Sequence, residues 1–229
     1  TKLKKAGQAI TTPEGDGIET TGMALAPAYE HGKFKMCPNS LSCREACLGK
    51  KSGGYFMFGG GMNTEMYKGP RLAYLKRTHA LINEPGAFII RLHEEINRAK
   101  YNAEADGNRL GVRLNVLSDI HPKVYKALFD AHPDVDFYDY TKNMNSESVA
   151  PNHHLTYSST GISHPEGTNG IKGSVNNPHQ NWSHMRKKLD SGHNIAMAFS
   201  HKSQIPKEIH DELMIVARRR SEEHTSELQ

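Results

Sequence analysis

The chain has 229 residues, of which 36% are hydrophobic and 24% charged, with a formal net charge of +4. No run approaches the ~18 apolar residues that a membrane-spanning helix needs. Three cysteines, an odd number, argue against a disulfide framework and for a metal site or a reactive thiol.

The N-terminus, TKLKKAGQAITTPEGDG, has the charge of a secretory leader but no apolar segment behind it, so a cytoplasmic location is expected. Residues 1–36 are rich in Gly, Thr and Pro. They read as an N-terminal arm, with the apolar stretch GMALAPA (22–28) as extended chain or a first strand. All the cysteines follow at once, as Cys37, Cys43 and Cys47 in the spacing C-x5-C-x3-C. Their neighbours are Lys, Arg, Asn and Ser, which is not core composition. Three chemistries are open: an iron–sulfur cluster, a zinc site completed by His31 or His79, or unliganded thiols. Residues 48–61 then hold six glycines, where backbone can approach a ligand closely.

A helix is expected from about Asn63 to Leu81, kinked or broken at Pro70, with Arg71, Lys76, Arg77 and His79 as a basic face. A second runs from about Pro85 to Glu104. Phe88, Ile89, Leu92 and Ile96 form its buried stripe, and Asp106-Gly107-Asn108 ends it. Strands and helices then alternate. Strands are expected at 110–119, 135–142, 153–160 and 194–202. Helices are expected at 121–133, with Val124, Leu128 and Phe129 inward, and at 180–192, with Trp182, Met185 and Leu189 inward and Gly192 as the stop. Residues 160–178, rich in Gly, Asn and Ser, suit a lid over a site.

This alternation predicts an α/β fold: a partial (β/α) barrel-like parallel sheet with right-handed crossovers, preceded by the cysteine loop. The expected organisation is an arm (1–36), one barrel-like domain (37–219) and a non-native tail (220–229), with the native C-terminus cut away. The tail, RSEEHTSELQ, has no apolar period and resembles the translation of a sequencing-library adapter. Without it the formal charge is +6, which permits nucleic-acid contact without requiring it.

Each strand ends in polar residues: Ser118-Asp119, Thr141-Lys142, Ser158-Ser159 and Ser200-His201. Parallel α/β sheets bind ligands at these carboxyl ends. Arg113, Asn115, Asp139 and Thr156 lie within strands expected to be buried, and a buried polar group needs a partner.

The segments MCPNSLSCREACLG, RLNVLSDI, FYDYTK and NHHLTYSSTG, in this order, resemble the motif series of the phage "gene product eighty-eight" family. The resemblance runs from about Cys37 to Phe199 and implies a bacteriophage or prophage origin. More distantly, a three-cysteine loop before β/α repeats is similar to the layout of radical S-adenosylmethionine enzymes, whose cluster has one open iron that chelates the cofactor. Here the spacing differs from the usual C-x3-C-x2-C, and Leu48 replaces the aromatic beside the last cysteine.

This resemblance implies a [4Fe–4S] cluster on Cys37, Cys43 and Cys47, with S-adenosylmethionine as a possible cofactor and an unknown substrate. Arg113, Asn115, Ser118, Asp139, Thr141, Ser158 and Ser159 are the expected binding residues. Asp119 and Lys142 are the expected catalytic ones. The alternative is a zinc-stabilised protein that binds or processes nucleic acid, gripping phosphates with Lys50, Lys51, Arg71 and Arg77.

Overall fold

The computed structural model describes residues 4–5, 10–11, 17–27, 31–32, 34–40, 68–158 and 185–196. Thr1–Ala196 form one compact unit and Met197–Gln229 a second, of which no residue is described. In chain order the elements are β1 (Lys4–Lys5), β2 (Ile10–Thr11), β3 (Gly17–Gly22), α1 (Lys68–Asn83), α2 (Pro85–Ala105) and β4 (Asn108–Arg113). A 3₁₀ turn (Pro122–Tyr125), α3 (Lys126–Ala131), β5 (Asp136–Thr141), β6 (His153–Ser158), helical residues 185–190 (α4) and β7 (Asn194–Ala196) follow.

β3, β4, β5, β6 and β7 lie side by side in chain order, every neighbouring pair parallel. β1 and β2 pair antiparallel with β3. When strand order follows chain order and crossovers are right-handed, the helices gather on one face, as in a (β/α) barrel. They do so here. Phe88, Leu92 and Ile96 of α2 share one core with Leu110 and Val112 of β4 and Phe137 of β5. Phe129 of α3 lies 4.7 Å from the Phe137 ring, and Lys188 of α4 lies 4.1 Å from the Tyr157 ring of β6. Among the described residues the sheet is open, since β3 and β7 do not pair. The expected partial barrel-like parallel sheet is therefore present. Burial of each α2 stripe residue contributes about 1.5–3 kcal/mol. Among the described residues no helix is long and apolar enough to cross a membrane.

Several local expectations are corrected. The first strand is GIETTG (17–22), not the apolar run that follows it. Met23, Leu25 and Ala26 are buried beyond the strand end, where side chains of α1 bond the backbone of Ala24 and Ala26. The Ala26 N–H donates to Thr78 Oγ1 (2.8 Å), and Arg77 Nε donates to the Ala24 carbonyl (2.8 Å). Arg77 is thus a structural partner rather than part of a phosphate-facing surface. Pro70 does not kink its helix. It sits in the first turn, where the missing N–H costs nothing.

β4 stops at Arg113 instead of running to Asp119, because the next donors turn to other partners. The Asn115 N–H goes to a side chain, and the Val116 N–H to Met23 O. The expected helix at 121–133 opens as a 3₁₀ turn. Its tighter winding shifts the phase, so Tyr125 is fully buried and Val124 is exposed. In α4, Met185 is buried but Leu189, at the helix end, is 40% exposed. The expected strand ends beyond Ser158 and Ala196, Trp182 and the expected lid lie outside the described residues.

Asn152 joins the last turn of α3 to the start of β5. Its Nδ2 lies 3.1, 2.7 and 3.2 Å from the carbonyls of Phe129, His132 and Val135, and its own carbonyl accepts from the Phe137 N–H at 2.8 Å. Asn152→Ala leaves these helix-end carbonyls without a side-chain donor. A loss of about 1–3 kcal/mol in urea unfolding is expected. An unchanged midpoint would show that solvent already serves those carbonyls.

Candidate functional site

The two-residue period of β5 sends Phe137, Asp139 and Thr141 toward the helices and Tyr138 and Tyr140 to the other face. Phe137 joins the apolar core. Asp139, two residues nearer the carboxyl end, is 4% exposed and needs polar partners. It finds them in one residue. The Asn115 N–H donates to Oδ1 at 2.9 Å, and Asn115 Nδ2 donates to Oδ2 at 3.2 Å.

That clamp shapes the whole loop after β4. Asn115 Nδ2 also reaches the Ile120 carbonyl at 3.2 Å, and the Ser118 hydroxyl donates to Asn115 Oδ1 at 2.8 Å. Asp119 accepts the Lys142 N–H at 2.9 Å, which ties the loop to the end of β5 a second time. Thr141 Oγ1 accepts from the Asn143 N–H at 3.0 Å and closes the turn after β5.

The first cysteine is held by the same loop. The Asp119 N–H donates to the Met36 carbonyl at 2.9 Å, and the half-buried Cys37 thiol donates to the Leu117 carbonyl at 3.4 Å. The cysteine segment therefore docks where the polar clusters of β4 and β5 converge. Ser158, at the end of β6, accepts from Lys142 Nζ at 3.1 Å. Arg113 lies on the opposite sheet face from Asp139, its guanidinium carbon 4.7 Å from the Tyr140 ring centroid. Thr156 lies on that face as well, half-buried. Asn115, expected to lie within the strand, is beyond its end.

Asn115, Ser118, Asp119, Asp139, Thr141 and Cys37 thus form one connected group. Arg113, Lys142 and Ser158 stand on the other face. Cys43, Cys47, Ser159, Lys50, Lys51 and the Ser200-His201 cluster lie outside the described residues. Among the described residues no three His, Cys, Asp or Glu side chains gather as a metal site. His31 and His79, the two histidines that could complete a zinc site, bring their rings to 6.3 Å, and His31 Nδ1 is buried without a hydrogen-bond partner.

Burial pushes the Asp139 carboxyl up to about 7. The Asn115 donors and the Arg113 charge pull it down, and Asp119 adds to the rise. Tyr125 completes the environment, and neither its residue type nor its spacing signalled it. Its hydroxyl is buried without a hydrogen-bond partner, and burial, aided by the Asp139 charge, pushes it well above the ordinary tyrosine range.

The family model of Gene product 88 matches residues 1–226. The chain belongs to the Gene product 88 family. That is the phage family expected from the four sequence motifs. The match extends past residue 219 into the segment read above as foreign. No curated protein and no solved structure matches the chain. In this Gene product 88 chain the motifs converge in space. The first supplies Cys37. The second supplies the last residue of β4, Arg113, and the Asn115–Asp119 loop. The third and fourth are β5 and β6.

Two buried groups titrate with opposite signs. A folded-state carboxyl raised to about 7 stabilises the fold fully below the unfolded value near 4, and that contribution is lost as pH rises through 7. His153, stacked on Phe129 at 4.6 Å, is held down to about 4 by burial and by His154. It therefore costs stability as pH falls from about 6.5 toward 4. Asp139→Asn removes the first dependence and keeps the second. The stability of the wild type relative to Asp139→Asn should fall between pH 4 and 7, by a few kcal/mol in order of magnitude, and stay level above 7. Urea unfolding at several pH values measures it. A difference that does not change with pH would place the Asp139 carboxyl in its ordinary range.

Proposed function

We propose that this chain is an iron–sulfur protein of radical S-adenosylmethionine type, with Cys37, Cys43 and Cys47 holding a [4Fe–4S] cluster at the carboxyl end of the sheet. The observation that carries the reading is the docking of the first cysteine: Met36 and Cys37 are bonded to the loop that Asp139 organises. The donor set fits, since three thiolates are the soft ligands such clusters take. When bound, a cluster with three protein ligands supplies redox chemistry at an open iron. Metal binding requires Cys37 to give up its proton, and with it the bond to Leu117 O.

The chain's own residues then do the binding and orienting. Asp119 presents its carboxylate on a loop that Asn115 and Ser118 fix from within. Asp139 and Thr141 hold that loop and the following turn, and Lys142 and Ser158 offer a cation and a hydroxyl from the next strands. S-adenosylmethionine is the proposed cofactor, with Asp119 and Lys142 as the charged groups nearest a reacting ligand. Loop rigidity serves such a site because misplacement of about 1 Å can cost ~100-fold in rate.

Zinc is the second reading, favoured by one observation: His31 and His79 approach each other, and His31 has an unused buried nitrogen. A cysteine–histidine zinc clamp would make the chain a structural scaffold that uses its basic charge on nucleic acid.

Anaerobic purification with iron, sulfide and zinc analysis separates the readings. About four iron and four sulfide per chain are expected. Cys43→Ala should lose the iron and the visible absorbance while keeping the far-ultraviolet circular dichroism of the fold. About one zinc per chain without colour contradicts the cluster and supports the clamp. A metal-free, colourless chain contradicts both.

A further inference from the structure

The sheet face that carries no helix among the described residues has a feature the cysteine loop does not explain. Parallel pairing places Thr20, Gly111 and Asp136 on this face together, and pairs Tyr138 with His154 and Tyr140 with Thr156. By strand period Arg109, Arg113 and Ser158 belong to it too, and Lys142, just past β5, reaches it through its bond to Ser158. Arg109 and Arg113 are two turns of the same pleat, yet their surroundings differ. Arg109, at the amino end, is paired with Asp136 at 3.0 Å, and His154 lies 3.8 Å from the same carboxylate. Arg113, at the carboxyl end, has no carboxylate or carbonyl partner among the described residues, and its Nε is buried without an acceptor.

Arg113 is also held in place. Its guanidinium lies over the Tyr140 ring at 4.7 Å, which fixes the plane of the fork and leaves its edge donors to one side. Thr20 and Tyr138 flank Gly111 from the strands on either side. Gly111 has no side chain to fill the space, and a Cβ there would come within 3.3–3.6 Å of Ile18, Thr20 and Tyr138. On the next strands Lys142 Nζ meets Ser158 Oγ at 3.1 Å, so a second cation and a hydroxyl stand on the same face. A half-buried guanidinium oriented by Tyr140 and without a hydrogen-bond acceptor, together with an ammonium and a hydroxyl further along the same face, offers an electrostatic seat for an anion.

We propose that this face, at the carboxyl ends of β4, β5 and β6, binds the phosphate or carboxylate group of a small ligand. Arg113 grips it and Lys142 and Ser158 complete the seat. The proposal deepens the reading above by naming the charge of the ligand, but it needs no metal and survives if the cluster does not exist.

The test uses the full chain, as purified, in thermal unfolding against pyrophosphate, inorganic phosphate and malonate, with sodium chloride at matched ionic strength. A saturable rise in melting temperature with a phosphate probe identifies phosphate as the group. A rise with malonate alone identifies carboxylate. Arg113→Gln and Lys142→Gln should each weaken the response at least tenfold in apparent affinity. The Lys142 variant keeps the test valid if loss of Arg113 unfolds the chain. Equal shifts in chloride, no shift with any probe, or an undiminished response in Lys142→Gln overturns the proposal. Loss of iron with the anion response intact would sink the cluster alone.

Discussion

Two hydrogen bonds from Asn115 to the buried carboxylate of Asp139 organise the functional end of this molecule. A carboxylate that loses water must recover its hydrogen bonds from the protein, and here one residue supplies both. The consequences spread outward. The loop after β4 cannot continue the strand, because its first donors are committed to Asp139 and Met23. Once turned, the loop offers Ser118 to Asn115, Asp119 to the backbone of Lys142, and the Leu117 carbonyl to Cys37. The cysteine segment, far earlier in the chain, is positioned by a contact on the third parallel strand.

The alternation of β5 lets one strand serve three purposes. Phe137 anchors the core against Phe129. Asp139 and Thr141 continue the same face into polar chemistry at the strand end. Tyr138 and Tyr140 dress the opposite face, and Tyr140 orients Arg113. The helices that gather on one face follow from strand order, and among the described residues the other face carries polar and aromatic side chains. Asp139 gives stability that weakens toward neutral pH, whereas His153 gives stability that weakens toward acid. The fold is therefore balanced between two buried titrating groups.

Much of this was legible in the sequence. The stripe Phe88, Leu92, Ile96 and the stop at Gly107, whose φ is 73°, follow from period and turn chemistry. The β/α alternation carried the parallel sheet. A carboxylate within the strand FYDYT announced that Asp139 needs a partner. The remainder depended on tertiary contacts that leave no local trace. The apolar run 22–28 reads as a strand, but α1 satisfies its backbone through Thr78 and Arg77, over 50 residues away. Tyr125 replaces Val124 inside only because Pro122 opens a 3₁₀ turn. Asn152 reads as an ordinary turn residue, and its reach to three carbonyls appears only once α3 and β5 are side by side.

The central claim is that the loop after β4 is one rigid unit with the end of β5 and the first cysteine segment. Native-state amide hydrogen exchange tests it directly at Asn115, Asp119 and Lys142, whose N–H groups make the three bonds that join these segments. All three are expected to be protected and to open together, with a common opening free energy close to that of Val112 in β4. Fast exchange at Asp119 and Lys142, or three unrelated opening energies, would contradict it.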